Sequence, residues 1–506
     1  MKAAILIIAS FIGASVAQAQ TWRLQESAKT LKGPHHELLP RPGGEILTIT
    51  HPDPGHKGPM IISRFDAQLN ELYSRRLNLL NQEQYEDAWY VDNRLFLFTV
   101  DSYGGLTRYE LDEHTGSLIG TPLPLTALLG IDGNIKKASF YSGHSVAGNY
   151  HYIAATTGTT LHGILFNALG DKLTTFQYGI TTKPTDLIQT GQGDLCIVYN
   201  NNLLRVTATG TCQMLALSGL PDDAGNVSWW ADSLTLHFSA LCGSKPLSSN
   251  GHANTAFTDI FTSSVDPTTG TLSGCRHTDV ATLTNPAQQP QTRGLPQNCT
   301  LLRQLPLSDG SALILFENTG RRLYQNQWSA AMQNPASALG RSGAGGFTSI
   351  SASAQGASYL RRGDIYVLKV DAANIPQWLD IVAKDQEESD RLTAIGAGCL
   401  VDASDNLHVF FYDSRNNADA WKANPTPVRA DDPQNNTFAC ISITPNGVVK
   451  KQFIPLTDNR YRLMPEIAFV DNKDQACILA IRARSGFSNE LAFDFAGYKL
   501  GVIRLE

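Results

Sequence analysis

The sequence is poor in the features that announce a chemistry. Of 506 residues, 5 are Met, 8 are Cys and only 17% are charged. No two cysteines have the Cys-x-x-Cys spacing, which removes zinc-ribbon and thioredoxin-like readings. There is no Gly-x-Ser-x-Gly elbow, no Gly-Lys-Ser/Thr phosphate loop and no His-Glu-x-x-His pair. Long runs of Lys and Arg are missing and the net charge is −6. Nucleic-acid binding needs a basic face to displace counterions, so the composition argues against it. Beyond the N-terminus no apolar run approaches the roughly 18 residues that would suggest a membrane-spanning helix, so no membrane insertion is expected.

What is present begins with an address. Lys2 precedes an almost wholly apolar stretch, Ala3 to Ile12, and Ala17-Gln18-Ala19 fits the small-x-small cleavage pattern. Residues 1–19 therefore read as a signal peptide, with Gln20 first in the mature chain. The expected location is outside the cytoplasm: periplasmic, or secreted and at the cell surface. In such a compartment the eight cysteines permit disulfides, but eight allow 105 connectivities. Cys196–Cys212 and Cys242–Cys275 are the two pairs to test. The alternative is buried free thiols, since Cys196 lies in the apolar run Leu195-Cys196-Ile197-Val198.

The strongest internal signal is a phrase that recurs seven times: an alternating apolar segment, a turn, then a second segment. Leu161 to Asn167 turns at Leu169-Gly170-Asp171, and Ile260 to Asp266 turns at Thr269-Gly270. Ile365 to Asp371 turns through Ala373-Asn374, and Ile441 to Thr444 at Pro445-Asn446-Gly447. Period-two alternation suits a half-buried strand, while Gly, Asn and Asp tolerate tight turns. Two further strand-like runs usually precede each phrase, which makes a four-stranded meander, the unit of a β-propeller. At the C-terminus, runs at 466–470, 476–482 and 498–505 lack a fourth strand, which Thr21 to Ser27 can supply. The expected fold is all-β: a single propeller over 20–506, with eight four-stranded blades favoured over seven and an N-terminal closing strand. Two β-sandwich domains are the alternative. Residues 327–360, rich in Ser, Ala and Gly, read as a surface insertion between two strands of one blade.

The C-terminal half, residues 300–506, resembles a family of uncharacterised exported propeller proteins from Gram-negative bacteria. The resemblance is carried by Gly363-Asp364-Ile365-Tyr366-Val367-Leu368-Lys369-Val370-Asp371, Gln377-Trp378, Lys384-Asp385-Gln386, Leu407 to Asp413 and Ile441 to Gly447. It departs at Ala373-Asn374, where the family places Gly. The hairpins are also similar to those of quinoprotein propellers, but the regularly placed tryptophan motifs are missing, so no quinone cofactor is implied. The resemblance implies fold and export, and no activity.

Four groups are candidates for chemistry. His51, Asp53 and His56 stand within six residues and offer a transition-metal set, or a solvated loop. Asp413, Asn416, Asn417 and Asp419 follow a strand and present oxygens suited to Ca²⁺, or turn caps; they lack the EF-hand spacing. Trp229-Trp230, Tyr103 and Trp421 suggest a sugar-stacking platform, or core. Asp385, Glu387, Glu388 and Asp390 form an acidic cluster, of use to glycoside hydrolysis or simply a charged loop. The expected function is an exported, non-enzymatic binding or scaffold protein for a protein or glycan ligand. The alternative is a glycan-active hydrolase or lyase with its site at the mouth of the propeller channel.

Overall fold

The computed structural model describes residues 22–26, 35–41, 44–51, 59–79, 83–91, 93–101, 105–131, 138–145, 149–199, 201–231, 235–246, 255–283, 295–296, 298–323, 358–389, 396–417, 436–447, 449–454, 461–470, 475–484 and 492–505. Apart from two single-turn 3-10 helices, the regular elements among them are β-strands, paired antiparallel throughout. None of the described residues forms a helix long and apolar enough to cross a membrane.

Seven sheets are built from strands consecutive in the chain: blade 1 (35–77), blade 2 (84–124), blade 3 (139–179), blade 4 (186–216), blade 5 (225–279), blade 6 (299–382) and blade 7 (397–454). Within each, four strands succeed one another across the sheet in chain order. An additional sheet is composite. Tyr461–Val470, Gln475–Arg484 and Ala492–Leu505 follow in order, and Trp22–Glu26 pairs with the last of them, Trp22 opposite Leu505. The expectation that eight blades are favoured over seven is thus corrected. Seven blades are made of local meanders, and the ring is completed by one sheet shared between the two ends of the chain.

Local chemistry explains the meanders. The middle strands are buried on both faces, as Leu195–Tyr199 shows, while fourth strands such as Leu272–Asp279 lie open to solvent. Third and fourth strands are joined by turns whose first side chain accepts backbone N–H groups two and four residues on. Asn167 accepts from Leu169 and Asp171, and Asp371 accepts from Ala373 and Ile375. Blade 2 departs from the expected pattern. The phrase does not resume as a strand at Ser117 to Ile119; Leu118 makes one bridge to Leu111, and the fourth strand is only Leu123–Pro124. Pro122 and Pro124 bring no N–H to the ladder, which shortens it.

The core lies between blades. Blade 4 turns Leu195, Ile197 and Leu204 toward Ile180 and Leu165 of the blade 3 side, and Cys196, Val198 and Leu203 toward Phe238 and Phe261 of blade 5. Each sheet therefore buries its two faces against two different neighbours, an arrangement that repeats around a ring and differs from a pair of sandwiches. The first strands of blades 3 to 7 approach one another in succession. The first strand of the composite sheet meets those of blades 7 and 1, which closes the circuit.

Residues 1–19 lie outside the described residues, as do 327–357 of the expected insertion; its last residues open the strand Ser358–Val370. That strand pairs with Ala312–Leu323 of the same blade. The two test disulfides do not form: Cys196, Cys212, Cys242 and Cys275 are free. A whole strand separates the members of each pair. Cys196 stands opposite Arg205 on the strand that carries Val206, the partner of Cys212. Two inter-strand spacings, roughly 9.5 Å, exceed the reach of a disulfide, about 7 Å between Cα atoms.

Candidate functional site

The groups singled out from the sequence are dispersed. His51 ends the second strand of blade 1, opposite His35, with its ring stacked on Tyr85 at 5.3 Å; Asp53 and His56 lie outside the described residues. Among the described residues, no three His, Cys, Asp or Glu side chains gather as a metal site. Asp413 ends the second strand of blade 7. Its carboxylate is buried and pairs with Lys451, while also accepting from the Ser414 N–H at 2.9 Å and the Asn417 side-chain amide. Asn416 sits in the short helix that follows, with its N–H on Ser414; Asp419 lies outside the described residues. Trp229 is buried between blades 4 and 5, Trp230 stacks on His237 at 3.9 Å, and Tyr103 and Trp421 are not described. Asp385 is paired with Arg361 at 2.9 Å, Glu387 and Glu388 lie in the short strand Gln386–Ser389, and Asp390 is not described.

A different constellation is assembled by the first strands of blades 2, 3 and 4: Gln84–Val91, Ser139–His144 and Asp186–Gln189. A bulge between Tyr85 and Asp87 inserts Glu86 as an extra residue and re-aims the strand. The Asp87 carboxylate accepts from the Trp89 indole at 3.2 Å, from the Ala88 N–H at 2.8 Å and from the Ser142 hydroxyl of blade 3. Trp89 is itself fixed between Phe98 and His151, each ring 4.3 Å away and nearly parallel. His151 stands opposite the exposed His144, which lies within electrostatic range of Asp87.

Tyr152 links this group to blade 4. Its ring crosses Gly143, where a Cβ would approach it to 2.8 Å, and its hydroxyl donates to the Leu187 carbonyl at 3.1 Å. Asp87 and Asp186 both lie near enough to that hydroxyl to raise its pKa, and burial raises it most. Burial also pushes the Asp87 carboxyl above its ordinary range, against the partial offset of its hydrogen bonds. Burial likewise raises Asp186, and it raises Glu86 with help from the Asp87 charge. Among the described residues, neither Asp87 nor Asp186 is paired with a Lys or Arg. Burial disfavours the charged form of these carboxyls, and a carboxyl without a cationic partner suits a neutral, hydroxyl-bearing guest better than a simple anion. Sequence reading passed over these positions. The only trace was Glu86-Asp87 standing in an otherwise aromatic strand.

Neither a protein-family model nor a curated protein matches the sequence. Solved structures similar to this chain are β-propeller proteins. A streptogramin B lyase is 8% identical, with 96% of this chain and 98% of that one covered and a TM-score of 0.36. Virginiamycin B lyase from Staphylococcus aureus is 8% identical over 96% of this chain and 100% of its own, at 0.35. The WD40 domain of SCAP from fission yeast is 8% identical over 96% and 94%, at 0.34. These likenesses carry no argument about ligand or activity.

Proposed function

We propose that this chain is an exported binding protein that holds a glycan at the inner rim of blades 2 to 4. One observation carries the reading: the first strands of three consecutive blades bring Asp87, Ser142, His144 and Asp186 together, and among the described residues no Lys or Arg pairs with either carboxyl. A sugar presents hydroxyls that both donate and accept, and carboxyl, hydroxyl and imidazole groups can meet both roles. A glycan array followed by calorimetry tests it. Asp87→Asn and Asp186→Asn should each weaken binding about tenfold, the loss of roughly one charge-assisted hydrogen bond. Unchanged affinity in both variants refutes the site. Export is tested by the mass of the mature protein, which should begin at Gln20.

The same carboxyls favour a second reading, a hydrolase or lyase acting on glycans. Raised carboxyls on different blades are what general acid–base work requires. Turnover of a glycan panel, abolished by Asp87→Asn or Asp186→Asn, would establish it in place of simple binding.

A further inference from the structure

The seam between blades 5 and 6 carries a row of buried polar side chains beside its apolar core. Along the second strand of blade 5, Leu241 faces the core shared with Ile314 and Phe316 of blade 6. Period-two alternation turns Ser239 and His237 to that same face. On the third strand Ile260 joins this core, so Thr262 and Ser264 follow it. Ser239 stands directly opposite Thr262, and His237 opposite Ser264, with 3.2 Å between Nδ1 and Oγ. Between these two pairs lies the pair Phe238–Ser263, whose side chains turn to the other face.

Asn374, from the turn between the third and fourth strands of blade 6, is laid over this spot. Its amide nitrogen donates to the carbonyls of Phe238 and Ser263, both at 3.1 Å. Phe238 and Ser263 are the immediate chain neighbours of Ser239 and Thr262, so the Asn374 amide lies close to the strand pair that carries both hydroxyls. Asn374, Ser239 and Thr262 are 2%, 0% and 1% exposed, and Asn374 Oδ1, Ser239 Oγ and Thr262 Oγ1 all have no protein partner. The polar row continues toward the first strand. Ser228, opposite Ser239, donates to Gln304 Oε1 at 3.0 Å, and the N–H groups of Gln304 Nε2 and Trp230 Nε1 likewise lack a protein acceptor.

We propose that this seam is a binding site for ordered water, with one molecule bridging Asn374 Oδ1, Ser239 Oγ and Thr262 Oγ1, and a second at the Trp230–Gln304 end. Two hydroxyls and a carbonyl around one point supply the two to four partners an internal water uses. No carboxylate or ammonium takes part, so the guest is neutral. Near-complete burial encloses it away from bulk solvent. Such a guest lets a hydroxyl-bearing face of blade 5 meet blade 6 without stranding polar groups.

A high-resolution crystal structure of the full chain tests this. The expected result is a density peak about 2.7–3.2 Å from each of the three oxygens. In parallel, ¹⁷O relaxation dispersion should detect long-lived internal water, with an amplitude that falls in Thr262→Val and in Ser239→Ala. No peak at that point, or direct hydrogen bonds among the three side chains, overturns the proposal. So does a dispersion amplitude that neither substitution changes. Should a variant fail to fold, the density of the unmodified protein decides alone.

Discussion

Asn374 shows how one residue can carry a departure from a pattern. The turn needs a left-handed residue, and Asn374 has φ 60°. Gly meets that need through freedom alone, whereas Asn meets it and adds two buried hydrogen bonds to the preceding blade. Asn374→Gly keeps the backbone but removes both hydrogen bonds, at a cost of about 1–3 kcal/mol. Asn374→Ala also forces a Cβ into positive φ and should cost about 1 kcal/mol more. Urea unfolding should rank the native protein above Gly and Gly above Ala; the reverse order of the two variants would reject this account. Asp402 is a second such residue. Burial raises its pKa, but hydrogen bonds from His408 and Asn406 outweigh burial and hold it at about 2. A carboxyl lower in the folded than the unfolded state stabilises above its unfolded pKa, near 3.8, and loses that contribution as pH falls toward 2. Asp402→Asn should therefore flatten the decline in urea midpoint between about pH 4 and pH 2.

At the scale of the element, the turns between third and fourth strands act as locks between blades. Gly270 of blade 5 has φ +72° and lies on blade 4, where a Cβ would meet Leu215 Cβ at 2.8 Å. Gly274 also has positive φ, +63°, but faces open space. Alanine at both sites pays the backbone strain, and only Gly270→Ala adds the clash. Thermal unfolding should place Gly270→Ala about 1–3 kcal/mol below Gly274→Ala, on the scale of overpacking. The raised carboxyls of the inner strands make the opposite trade. A carboxyl whose folded pKa is raised loses stability as pH climbs from its unfolded to its folded value. Asp87 and Asp186 therefore cost stability at neutral pH. Asp87→Asn should raise Tm at pH 7 while weakening glycan binding, the pattern of a group kept for function. A Tm that falls would instead mark Asp87 as structural.

For the whole molecule, the decisive contact joins the chain's ends. Trp22–Glu26 is the outermost strand of the composite sheet and pairs with Ala492–Leu505 along its full length. Without it the last strand becomes an open edge, and the ring loses one of its closing ladders. Removing residues 22–26 should lower Tm and promote self-association through that edge, read by calorimetry and size-exclusion chromatography. An unchanged Tm and a monomeric profile would show that closure rests on the first strands alone. Closure also bears on the proposed site, because inner strands of separate blades hold a common geometry only while the ring stays shut.

The sequence by itself determined the meanders. Alternation, turn residues and the missing fourth strand at the C-terminus were all legible, because they depend on neighbours a few residues apart or on a simple count of strands. The pairing of Trp22–Glu26, within the expected segment Thr21 to Ser27, with the last strand was legible for the same reason. Which polar groups meet was decided only by the ring. Asp87, Ser142 and Asp186 are separated by more than forty residues at each step, and no spacing rule links them. Asp413 looked like a free oxygen ligand until Lys451, two strands away across the blade, was seen to occupy it. Cys196 and Cys212 looked close enough to join until an intervening strand separated them. Local backbone chemistry sets each strand and turn. The stacking of blades around an axis sets which side chains share an environment, and that is where charge, burial and recognition are decided.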